Sequence, residues 1–62
     1  MDDLTQDAIN QAYQNNIGKL FDSLFAAYVT AFDELDKTNA LKKFTSGVAI
    51  VQEAKAAAER SL

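Results

Sequence analysis

The chain has no cysteine, no histidine and no proline, and only two glycines, Gly18 and Gly47. Without cysteine there are no disulfides, no thiolate metal sites and no cysteine nucleophile. Without histidine the commonest general base and the commonest transition-metal ligand are missing as well. The lack of proline means that nothing in the composition demands a sharp break. With 62 residues, a lone monomer is marginal, because a chain this short buries only about 60% of the surface its unfolded form exposes. The usual remedies are disulfides, a structural metal or association. Self-association is the one left.

Long hydrophobic runs are also missing. The longest uninterrupted apolar stretch, Leu24 to Val29, has six residues, far short of the ~20 that a membrane span needs. The acidic start Met1-Asp2-Asp3-Leu4 is the opposite of a signal peptide's basic opening. Basic residues are scarce in the first 36 positions, where Lys19 stands against seven acids, so an anionic membrane surface is disfavoured. A cytoplasmic location is the expectation. Overall, nine acids against six bases give a net charge of −3, and the 48% hydrophobic content is too high for a disordered chain.

What the chain does have is apolar residues at helical spacing almost throughout. In the first half they run Ile9, Tyr13, Ile17, Leu20, Leu24, Tyr28, Phe32 and Leu35, each step three or four residues. Asp2, Asp3 or Thr5 is placed to cap this helix, with acids at the positive end of its dipole. In the second half the series is Leu41, Phe44, Val48, Val51, Lys55, Ala58 and Leu62, a heptad-like seam that thins after Val51. Projected onto one continuous helix, the two stripes fall on opposite sides. A single rod would have to bury two opposed faces in succession. The break is therefore placed at Asp36-Lys37-Thr38-Asn39, whose residues suit turns and caps.

The expected fold is all-α: one domain over residues 1–62, an antiparallel helical hairpin with a helix over about 4–35, a turn at 36–39 and a helix over about 40–61. Asn15-Asn16-Ile17-Gly18 is a second, weaker interruption. The first helix is expected to run through it. The alternative is a break that leaves segments 4–15, 17–36 and 40–61.

On a helical wheel the first helix is apolar over about 200°, twice the arc that one core-facing stripe needs. Tyr13, Ile17, Leu20, Leu24 and Leu35 form one sector; Phe21, Phe25, Val29 and Phe32 form the adjoining one, with Tyr28 between. The second helix offers only Leu41, Phe44, Val48 and Val51, with Ile50 off the sector. A narrow face cannot cover a wide one, so the surplus requires another copy or another protein. Phe21, Phe25, Tyr28, Val29 and Phe32 are the interface candidates, and dimerisation into a four-helix bundle is expected.

The charges divide unevenly as well. Residues 1–36 carry seven acids and one base, net −6, while residues 37–62 carry two acids and five bases, net +3. This suggests an acidic helix packed on a basic one, and an acidic face that could meet a basic protein. Lys37, Lys42 and Lys43 form the alternative site, a patch for nucleic-acid phosphates, but Asp33, Glu34 and Asp36 beside it oppose that use. The carboxylates lack the His, Cys or Ser partners of a catalytic constellation and the spacing of a calcium loop. No catalytic residue, metal site or cofactor is assigned. The expected function is a non-enzymatic protein–protein interaction module acting as a helical-bundle dimer, such as a small regulator, adaptor, chaperone or inhibitor. The rival is a nucleic-acid-binding hairpin using the lysine cluster.

Overall fold

The computed structural model describes residues 3–62. It consists of two helices, α1 (Asp3–Val29) and α2 (Glu34–Arg60), each of 27 residues, packed side by side as a hairpin. The candidate cap Asp2 lies outside the described residues; Asp3 opens α1 and Thr5 lies within it.

The chain reverses at residues 30–33, not at Asp36–Asn39, and α2 starts at Glu34 rather than near residue 40. The reason is a local set of hydrogen bonds. Asp33 takes an extended backbone (φ −149°, ψ −178°), and its side chain accepts from the Asp36 backbone N–H at 3.0 Å. In return the Asp36 carboxylate accepts from the Phe32 N–H at 2.9 Å. This reciprocal arrangement resembles a capping box and satisfies donors that the first turn of a helix leaves orphaned. Glu34 and Asp36 also place two negative charges at the positive end of the α2 dipole. Thr38, expected in a turn, instead donates its hydroxyl to the Glu34 carbonyl at 3.0 Å from within the helix.

At the other side of the turn, α1 ends on a polar side chain rather than a glycine. The Thr30 hydroxyl and backbone N–H both donate to the Ala26 carbonyl at 3.1 Å. Among the described residues no backbone enters the left-handed region. Asn15–Gly18 does not interrupt α1. Asn16 resolves its competing hydrogen bonding within the helix, donating to the Ala12 carbonyl at 2.9 Å.

The helices meet along a seam of steps of three and four. Ile9, Tyr13, Ile17, Leu20, Leu24 and Ala27 on α1 are half-buried, as are Phe44, Gly47, Val48, Val51 and Ala58 on α2. Of the wheel's inner sector, Tyr13, Ile17, Leu20 and Leu24 lie in this seam, whereas Leu35 lies in α2 and is exposed. Leu41, expected in the α2 seam, sits on its flank at 45% exposure, and Ala40 takes the inner position. Three seam positions in α2 are thus occupied by small residues, Ala40, Gly47 and Ala58, and at Gly47 this lets Leu20 of α1 approach.

Moving the turn also redraws the charge division. From Asp3 to Val29, α1 carries three acids and one lysine, net −2; from Glu34 to Arg60, α2 carries four acids and five bases, net +1. Three of the acids that made the first half strongly negative belong to the cap and first turn of α2. Both ion pairs seen among the described residues, Lys37–Glu34 and Lys55–Glu59, lie within α2. The two helices still carry opposite net charges, but the contrast is much smaller than the sequence division implied, and neither of these ion pairs joins one helix to the other.

Candidate interaction surface

A hairpin of two helices is a single layer, and its Cα atoms span 48 × 15 × 7 Å. Domains normally bury their apolar stripes between two layers. Here, among the described residues, Ala40 alone is buried, and no large side chain is fully enclosed. The large seam residues remain in partial contact with water.

The large side chains outside the seam are concentrated near the turn. Phe21 is 55% exposed, Phe25 62%, Val29 68% and Phe32 96%. Leu35, at 65%, adds to them from the first turn of α2. Phe21, Leu24, Phe25 and Tyr28 line an open apolar depression of about 290 Å³. All five residues singled out as an interface from the sequence are thus on the surface. Tyr28 is the most covered of them, because Lys37 of α2 lays its ammonium over the ring, 5.8 Å from the centroid. Phe32 is the most exposed, yet its backbone is fixed by the Asp36 hydrogen bond. A ring held out by an anchored backbone loses less entropy on docking than one on a floppy loop.

A matching contact closes the far end of the hairpin. Lys55 Nζ lies 5.4 Å from the Tyr13 ring centroid across the seam and pairs with Glu59 at 3.1 Å. The Glu59 carboxylate also accepts from Gln6 Nε2 of α1 at 2.7 Å. The hydrogen bonds from Gln6 and then Lys55 hold the Glu59 carboxyl below its ordinary pKa, against an opposing effect of desolvation and with a lesser contribution from the Lys55 charge. In both lysine–tyrosine pairs the ammonium of α2 lies within reach of an aromatic face of α1. Periodicity alone placed Lys55 in the seam; the role of Lys37 was hidden because it was assigned to the turn.

The three lysines of the alternative site do not form one patch. At about 100° per residue, Lys42 and Lys43 lie roughly 140° and 120° away from Lys37, to opposite sides. Lys37 is engaged with Tyr28 and with Glu34 at 3.5 Å, whereas Lys43 lines a groove with Ala27 and Ala40 on the other side of the seam. Among the described residues, no three acidic side chains converge as a metal-holding group, and no helix is long and apolar enough to cross a membrane. No family model, curated protein or solved structure matches the chain.

Proposed function

We propose that this chain is a protein–protein interaction module without catalytic activity, and that its working form is a dimer of hairpins assembled as a four-helix bundle. The observation that carries this reading is that, among the described residues, no large side chain is fully buried while Phe21, Phe25, Val29 and Phe32 form an exposed ridge. The surface area supports it. The chain exposes 4798 Å², whereas a compact monomer of its mass, 6.8 kDa, exposes roughly 4,000 Å² by the area–mass scaling. The excess is on the order of 800 Å², about what each partner buries in a stable interface. A second hairpin supplies the missing layer, and the ridge becomes core.

The test is the concentration dependence of thermal unfolding followed by circular dichroism. When folding is coupled to dimerisation, the midpoint rises with protein concentration by mass action. In Phe32→Ala the midpoint should fall, with a loss approaching ~3–5 kcal/mol if docking buries the ring fully. A midpoint independent of concentration, together with a Phe32→Ala variant as stable as the parent, would show a self-sufficient monomer and end this reading.

A further inference from the structure

The apolar face changes character along the hairpin. On α1 it carries Phe21, Phe25 and Tyr28 near the turn; the same flank nearer the amino end carries Gln14 and Asn10. On α2 the flank carries Leu41 and Val48 near the turn, interspersed with Glu34, Lys37 and Thr45, and then Gln52 and Glu59 with no large apolar side chain between them. These flanks lie on one side of the molecule, because antiparallel right-handed helices bring residues displaced in the same rotational sense from their seams to the same side. The Lys37 ammonium over the Tyr28 ring joins them physically. One broad face therefore gathers its large apolar side chains, Phe21, Phe25, Tyr28, Leu41 and Val48, in the turn-proximal half, where Glu34, Lys37 and Thr45 lie along its α2 side, and is polar in the other.

We infer that the second copy covers the turn-proximal half alone, with the two hairpins pointing in opposite directions, α1 across α1 and α2 across α2. This rests on the dimer reading above and specifies its geometry. A two-fold axis through the level of Phe25 and Phe44 superposes the two apolar halves. Phe32 of each copy then lies at the level of Gly18 of the other. The overlap is about 25 Å long and two helices, about 20 Å, wide. With side-chain relief it approaches the ~800 Å² per partner of a standard interface.

Charge selects this direction over the alternative. Asp33, Glu34 and Asp36 crowd the turn, and Lys37 is the one base among them. If the hairpins pointed the same way, two such acidic ends would lie side by side, and the polar halves would be pressed together. Opposed hairpins separate the acidic ends by roughly 25 Å, well beyond the ~8 Å screening length at physiological salt. Gly18 supports the same arrangement. A side chain there would meet nothing within 4 Å, and its backbone is ordinary helix, so the single hairpin supplies no reason for glycine. At the end of the docking face, the missing side chain leaves room for an incoming ring.

The absence of cysteine makes a direct test possible. Glu34 and Gln52 are exposed and lie outside the aromatic ridge, so Glu34→Cys and Gln52→Cys are prepared as full-length single variants. Each alone and their equimolar mixture are treated with a bismaleimide spanning about 10 Å, while sedimentation reports the mass. Opposed hairpins give an abundant cross-link between the two different variants and little within either one. Strong self-cross-linking of Glu34→Cys would overturn the inference while leaving the dimer intact. So would a dimer mass with no cross-link in any sample. A monomer mass throughout would remove both the inference and the dimer reading on which it rests.

Discussion

Leu20 lies directly against Gly47: a methyl group on Gly47 would stand 2.7 Å from Leu20 Cδ2 and 3.2 Å from Cδ1. The leucine of α1 fills the space that the glycine of α2 leaves open. Two effects oppose each other in Gly47→Ala. Helix propensity gains up to about 1 kcal/mol, and overpacking costs about 1–3 kcal/mol. Because Leu20 must move, the substitution is expected to destabilise the parent, yet to stabilise a Leu20→Ala background, where the methyl fills a void. Urea denaturation of the four proteins should give a coupling energy of at least ~1 kcal/mol. Strict additivity would show that the side chains do not share this space.

The turn position has a direct consequence for insertions. Three glycines after Ala31 fall in the loop and should cost little, since lengthening a surface loop adds slowly to its closure entropy. The same insertion after Lys37 falls inside α2 and costs roughly 3 kcal/mol from propensity alone, before the seam loses register. Circular dichroism and thermal melts separate the two. Equal tolerance at both sites would place the turn elsewhere.

The sequence showed two helices, their antiparallel packing and the division between seam and ridge, because apolar spacing encodes which face is turned inward. It misplaced the turn because Phe32 and Leu35 continue the α1 spacing past the end of α1. Periodicity cannot distinguish an apolar residue that packs from one that follows a turn into water. The signal that could have found it is Asp33-x-x-Asp36, an acceptor at the cap and an acceptor three residues on. Leu41 was misread for a related reason. The α2 seam uses Ala40 and Gly47, small residues that carry little weight in a hydrophobic pattern but decide how closely helices approach.

Glu59 should show its partners in its titration. Its carboxyl is held low by Gln6 first and by Lys55 next. A carboxyl whose folded pKa lies below its unfolded value contributes stability that is present above the unfolded pKa and lost as pH falls through the folded one. Carbon-detected NMR of the Glu59 carboxyl should give a midpoint below the ordinary glutamate value. Gln6→Ala should raise that midpoint, and Lys55→Met should raise it too. A midpoint that ignores both substitutions would mean that the Gln6–Glu59 bridge between the helices does not persist in solution.

Nucleic acid should not bind appreciably. Phosphate binding needs several cations presented together, and Lys37, Lys42 and Lys43 point to different sides of α2 beside Asp33, Glu34 and Asp36. Fluorescence anisotropy with single- and double-stranded DNA and RNA at about 150 mM salt should stay flat. Sub-micromolar binding that disappears when the three lysines are replaced by glutamine would favour the lysine site over the aromatic ridge.

A hairpin that completes its core with a second copy reveals itself in its mass in solution. Sedimentation equilibrium at micromolar concentration should give about twice the 6.8 kDa chain mass, with Phe25→Ala shifting the equilibrium toward monomer. A fully helical species that stays at 6.8 kDa across that range would show that the hairpin needs no second copy.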